Sequence, residues 1–213
     1  MLKYDHFIFD FDGTLSDSYP AFVKAAKSIA GKYGVPSSDE QIYRLLKKHS
    51  TVYLFDTLGF GKYRDGAYSE FQRLLEELLS TEATAMEGAE DLLRFISENG
   101  GKSYVYSHSG NIVVQNVSRW GFKKYFVDYM LGDTLYPRKP APDALLALMS
   151  KHGIEPHKCV MIGDRDIDIL AGKNAKISGI LIDDAEYYPE LEVEYRVSKL
   201  SRIKYLLQSD PQI

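Results

Sequence analysis

The chain has almost no cysteine. Cys159 stands alone among 213 residues, so no intramolecular disulfide can form. A lone thiol is compatible with a reducing compartment, and a cytoplasmic location is expected. Long apolar runs are also missing. None approaches the ~18 residues of a membrane span, so no membrane association is expected. Asp5, Asp10 and Asp12 break up any apolar segment near the start, and no signal peptide is expected. Positive charge is scarce: 26 Lys and Arg stand against 30 Asp and Glu, with no basic block, which argues against a nucleic-acid partner. The histidines at 6, 49, 108, 152 and 157 have no metal-ligand spacing. The tyrosines are scattered rather than grouped as a stacking platform. There is no internal repeat or low-complexity tract. What remains is an ordinary globular composition, 45% hydrophobic, at a length that suits one large α/β domain or a domain with a small insert.

Residues 5–10 predict a first strand, an apolar run that ends in Asp10 and Asp12 and is followed by Gly13. From about 17 to 84 there is no strand pattern. Phe22, Ala26, Ile29, Ala30 and Tyr33 recur at helical spacing until Gly34 and Pro36. Ser37 with Glu40 reads as a capping box opening a second helix through Ile42, Leu45 and Leu46. Residues 47–64 are mixed. Tyr68, Phe71, Leu75 and Leu78 then line a further helix. Beyond Gly88 helices alternate with strands, the strands falling at 102–107, about 126–131, 158–162, 178–182 and 195–197, with a last helix near 199–208. Such alternation predicts a parallel sheet with helices on both faces. The first strand belongs to it, being apolar throughout. The expected fold is therefore α/β: a Rossmann-like core of residues 1–16 and 85–213 and an inserted helical cap of residues 17–84. An insert at that edge of the sheet is placed to act as a lid.

Chemistry gathers where strands end, the edge at which open α/β sheets bind ligands. Asp10 and Asp12 are two apart and share a face, with Phe11 opposite. Two adjacent carboxylates are tolerable if one is protonated or a cation lies between them, and a hard divalent ion such as Mg²⁺ is the natural guest. Ser107, at the end of the second strand, can bind a phosphate oxygen together with backbone N–H groups, or can simply cap a helix. Lys139 stands among Pro137, Pro140 and Pro142 on a stiff segment, where it can neutralise phosphate or the acids, or be a solvated loop lysine. The strand through Cys159 to Ile162 ends in Gly163, Asp164, Asp166 and Asp168. Asp164 and Asp168 share a face if a helix has begun by then, and acids also favour a helix N-terminus through its dipole.

In this order, these motifs resemble the haloacid dehalogenase superfamily, in its phosphoglycolate-phosphatase and beta-phosphoglucomutase-like branch. The matches are Asp10-Phe11-Asp12-Gly13-Thr14, then Ser107, then Lys139-Pro140, then Gly163-Asp164 with Asp168. Gly88 and Asn174-Ala175 also stand where that branch has comparable features. The resemblance implies a Mg²⁺-dependent phosphatase acting on a small phosphorylated metabolite, with no organic cofactor. It makes Asp10 the nucleophile that takes up the phosphoryl group and Asp12 the proton donor and acceptor. It gives the metal to Asp10, Asp12 through its backbone carbonyl, Asp164 and Asp168. It gives phosphate binding to Asp10, Ser107 with the adjoining His108 and Lys139, leaving Ser109 as the alternative hydroxyl. Lys47 or Lys48, in a loop between cap helices, would meet a second anionic group of the substrate; the plainer reading is a solvated helix C-terminus. A monomer or homodimer is expected.

Rivals remain. Dehalogenases of the family lack an acid at the position of Asp12, because a halide leaves without a proton. Its sugar phosphomutases carry a histidine where this chain has Phe22, which favours hydrolysis. A phospho-receiver module would be shorter and uncapped. A non-catalytic phosphometabolite sensor would need no filled catalytic positions, and here all are filled.

Overall fold

The computed structural model describes residues 2–132 and 135–208. In chain order the elements are β1 (His6–Phe9), β2 (Ser16–Asp17), α1 (Tyr19–Lys32), α2 (Asp39–Lys48), α3 (Thr51–Thr57), α4 (Arg64–Thr81), β3 (Thr84–Ala85), α5 (Ala89–Glu98), β4 (Lys102–Tyr106), α6 (Ile112–Arg119), β5 (Phe126–Met130), α7 (Asp143–His152), β6 (Cys159–Gly163), α8 (Asp166–Asn174), β7 (Ser178–Ile182), β8 (Tyr195–Val197) and α9 (Ile203–Leu207). The chain divides into two compact units, Met1–Ser16 with Ala85–Ile213, and Asp17–Thr84.

The first unit is built on six parallel strands in the order β5-β4-β1-β6-β7-β8. Side chains alternate across a strand, so each strand feeds two cores. Phe7 and Phe9 of β1, Val105 of β4 and Val160 and Ile162 of β6 face one core, which α5, α6 and α9 cover with Leu92, Leu93, Val113, Val117, Ile203 and Leu207. Ile8, Tyr104, Tyr106, Cys159 and Met161 face the other, covered by Leu145 and Leu148 of α7 and Ala171 of α8. Burial on both faces explains why these strands read as near-continuous apolar runs. The strand order reverses between β1 and β6, and open α/β sheets bind ligands outside the carboxyl ends at such a point.

Local geometry shapes that edge. Asp10 N–H donates to the Ile162 carbonyl at 2.8 Å, which carries the β1–β6 pairing one residue beyond the strand. The chain then turns tightly: the amides of Thr14, Leu15 and Ser16 all donate to the Phe11 carbonyl, and Gly13 takes a φ of +80°, a region that favours glycine. At the end of β6 a Cβ on Gly163 would stand 2.4 Å from the Asp168 Cβ, so only glycine lets Asp168 lie against the strand.

The second unit holds α1 to α4. Ala21, Ala25, Ala26, Ile29 and Ala30 of α1 are buried, as are Ile42 and Leu46 of α2 and Phe71, Leu78 and Leu79 of α4. Phe55 of α3 packs its ring against Phe60 and Phe71 at centroid distances of 4.8 and 4.9 Å. Three expectations change here. Ser38, not Ser37, caps α2, its Oγ accepting from Gln41 N–H at 3.1 Å. The mixed stretch 47–64 resolves into the end of α2, α3 and a short 3₁₀ turn at Gly61–Tyr63. Lys47 and Lys48 therefore lie on the last turn of α2 and not in a loop.

Candidate active site

Asp10 follows β1 directly and is 7% exposed. Asp164, the residue after β6, and Asp168, in the first turn of α8, are buried with it. Their carboxylates converge: one oxygen from each of the three lies within 4.8 Å of the others. Sequence spacing put Asp164 and Asp168 on one face only if a helix had begun by Asp164. Instead α8 begins at Asp166, and the two meet because Asp168 reaches back across the turn, its Oδ2 accepting from Arg165 N–H at 3.1 Å. Thr14 Oγ1 donates to Asp164 Oδ1 at 3.4 Å, a long bond that ties the turn after β1 to the end of β6.

Lys139 enters this acid cluster. Its Nζ donates to Asp10 Oδ1 at 2.6 Å, to Asp168 Oδ1 at 2.7 Å and to the Tyr106 carbonyl at 3.0 Å. The same Nζ stands 4.7 Å from the centre of the Tyr106 ring. Burial opposes the ammonium, but Asp10 and Asp168 outweigh it and hold the Lys139 pKa above its ordinary value. Burial and then the Asp168 charge push the Asp10 carboxyl well up, with Lys139 acting against them. Burial likewise raises Asp168. The converging donors are hard carboxylate oxygens in a buried setting. This set fits a divalent cation of the Mg²⁺ kind.

The end of β4 supplies the other wall. Ser107 is buried, its N–H donates to the Met130 carbonyl at 3.0 Å, and its Oγ accepts from Ser109 N–H at 3.0 Å. Ser109 Oγ donates to Asp12 Oδ2 at 2.6 Å. His108, expected at the phosphate, accepts through Nε2 from the backbone N–H of Lys139 at 2.9 Å. The ring therefore holds the lysine loop. Burial, then Lys139, Arg138 and Arg165, push the His108 pKa down to about 3, so the ring is neutral. Asn174 holds the same loop from the other side, donating to the Pro140 carbonyl at 2.9 Å.

Asp10, Asp12, Ser107, Lys139, Asp164 and Asp168 thus gather at one sheet edge. Lys47 and Lys48 belong to the other unit. Lys47 is buried there with its Nζ 5.1 Å from the Tyr19 ring centre, and Lys48 is exposed. The sequence marked Thr14, His108, Ser109 and Asn174 but not the partners they meet, because each contact joins residues far apart in the chain.

This edge offers a buried carboxylate beside an ammonium, a second carboxyl held by a hydroxyl, and room in the donor set for a divalent ion. A family profile described as haloacid dehalogenase-like hydrolase matches residues 7–182. The chain belongs to this family. Among curated relatives, a phosphoglycolate phosphatase of Vibrio parahaemolyticus is 31% identical, over 78% of this chain and 78% of its own. One of Xanthomonas campestris is 28% identical, over 81% of this chain and 80% of its own. A solved haloacid dehalogenase-like hydrolase of Streptococcus pneumoniae superposes with a TM-score of 0.84 at 20% identity, covering 96% of this chain and 99% of that one, and shows the shared fold. No helix of the described residues is long and apolar enough to cross a membrane.

Proposed function

We propose that this hydrolase is a Mg²⁺-dependent phosphatase of small phosphorylated metabolites and works through an aspartyl phosphate on Asp10. The observation that carries the proposal is the convergence of Asp10, Asp164 and Asp168, with the Lys139 ammonium bound to Asp10 and Asp168. Asp10 attacks phosphorus, and the bond from phosphorus to the ester oxygen breaks. Asp12 gives its proton to the departing oxygen. It then takes a proton from the water that attacks the aspartyl phosphate, which frees inorganic phosphate and restores Asp10. Positioned proton transfer of this kind contributes ~10²–10⁴-fold. Lys139 neutralises charge on Asp10 and on the phosphoryl oxygens. The Ser107 hydroxyl accepts from Ser109 N–H and so keeps its own proton to donate to a phosphoryl oxygen. Mg²⁺, held by Asp10, Asp164, Asp168 and the Asp12 carbonyl, would screen the anionic nucleophile from the anionic ester.

Phosphoglycolate-like monoesters are the proposed substrates, a choice supported by the names of the two relatives above. Residues 17–84 are proposed to act as a substrate-selecting cap. Lys47 or Lys48 is proposed to meet the second anionic group, and loss of either charge then raises KM for dianionic substrates. The test is phosphate release from an aryl phosphate and from a panel of phosphorylated metabolites, with and without Mg²⁺, by wild type and Asp10→Asn. Activity that requires both Mg²⁺ and Asp10 is the expected outcome. A wild-type rate in Asp10→Asn contradicts the proposal.

A further inference from the structure

Ser109, the alternative to Ser107 as a phosphate-binding hydroxyl, instead touches one of the reacting acids. Its Oγ lies 2.6 Å from Asp12 Oδ2, within the 2.5–2.7 Å range of a hydroxyl donating to a carboxylate. The two residues are 97 positions apart and come from neighbouring strand ends. Ser109 cannot easily follow a wandering partner. Its N–H donates to Ser107 Oγ at 3.0 Å, and its carbonyl accepts from Gly132 N–H at 3.0 Å, so its backbone is pinned on both sides. Asp12 stands in the tight turn gathered on the Phe11 carbonyl, and Gly13 N–H donates to the Ser16 carbonyl at 2.8 Å. The hydrogen bond therefore joins two fixed pieces of backbone.

We propose that Ser109 is a positioning residue that aims the Asp12 carboxyl at the leaving oxygen. The inference rests on the phosphatase proposal above. A carboxyl that serves first as acid and then as base must keep one orientation through both steps. Ser109 supplies this because Oδ2 can accept its proton whether or not the other oxygen is protonated. With Oδ2 held, rotation about the bond to the carboxyl group is arrested and the direction of the other oxygen is set. The two serines thus divide the work. Ser107 is left for the phosphoryl oxygens, and Ser109 serves Asp12.

Leaving-group chemistry separates this role from simple support of the fold. An alkoxide needs a proton in order to leave, whereas a nitrophenolate leaves without one. The quantity to compare is kcat/KM, which covers only the steps up to alcohol or phenol release and so excludes attack by water. It is measured with Mg²⁺ on an alkyl phosphate and on p-nitrophenyl phosphate, for wild type, Ser109→Ala, Ser109→Thr and Asp12→Asn. Ser109→Ala is expected to lose about tenfold or more on the alkyl ester and no more than about threefold on the aryl ester, part of the ~10²–10⁴ that a positioned acid supplies. Ser109→Thr, which keeps the hydroxyl, is expected to restore the alkyl rate. A crystal structure of Ser109→Ala is expected to show the Asp12 carboxyl rotated. Equal losses on both esters, or an Asp12 carboxyl unmoved in the variant, overturn the inference. If Asp12→Asn shows the leaving-group split and Ser109→Ala does not, the inference fails while the phosphatase proposal stands. A wild type that releases phosphate from neither ester overturns both.

Discussion

His108 shows how one side chain can brace the lysine loop of the site. Its ring must stay neutral to accept the Lys139 amide, and burial holds its pKa down to about 3. An unfolded histidine takes up a proton near pH 6.5, while the folded one resists it until about pH 3. The stability conferred by the neutral ring is therefore complete above about pH 6.5 and is lost as the pH falls toward 3. By pH 5 the loss is about 2 kcal/mol. In His108→Gln a side-chain carbonyl can take the amide and does not titrate. Urea unfolding from pH 7.5 to 5 is expected to give a shallower decline for the variant than for wild type. Parallel curves would mean that His108 carries no such load.

Among the elements, the end of β6 is tightly specified. Alanine at 163 would drive a methyl group into Asp168, so Gly163→Ala is expected to cost about 1–3 kcal/mol and to lower activity by displacing that carboxylate. Chemical denaturation and phosphate release measured on the same preparation would check it. On the outermost strand β5, Lys151 and His152 in the last turn of α7 both reach Asp128 Oδ2 at 2.7 Å. Burial opposes the Asp128 charge, but hydrogen bonds from Lys151 and His152 outweigh it and bring the pKa down to about 2. That stabilisation is present above about pH 4 and disappears as the pH falls toward 2. Asp128→Asn is expected to cost about 1 kcal/mol at pH 7, because water screens this partly open group. The gap to wild type in urea midpoints should narrow below pH 4. The strands and the acids at their ends were legible in the sequence because double-faced burial writes apolar runs and the ends stand next to them. The cap of α2 was misplaced by one residue, since Ser37 and Ser38 are chemically equivalent and only backbone geometry separates them. Lys47 and Lys48 were read as loop because the helix they close is strongly polar on its exposed face. The Ser109–Asp12 and His108–Lys139 contacts were invisible because they depend on how strand ends meet in space.

For the whole molecule the decisive feature is the buried acid cluster. A folded state that brings three buried carboxylates together should bind a divalent ion more tightly than the unfolded chain does. Mg²⁺ at a hundredfold excess over its dissociation constant then adds about 2.7 kcal/mol, or about 5–10 °C in thermal midpoint for a chain of this size. Asp164→Asn is expected to lose most of that shift, and an undiminished shift in the variant would place the ion elsewhere. The central claim is narrower: Asp10 carries the phosphoryl group during turnover. It is tested most directly by acid-quenching wild type during hydrolysis of a phosphate ester with Mg²⁺ and mapping the phosphorylated peptide by mass spectrometry. A phosphoryl group on Asp10, absent from Asp10→Asn, is the expected result. Sustained hydrolysis with the label on another residue, or undiminished hydrolysis by Asp10→Asn, would contradict it.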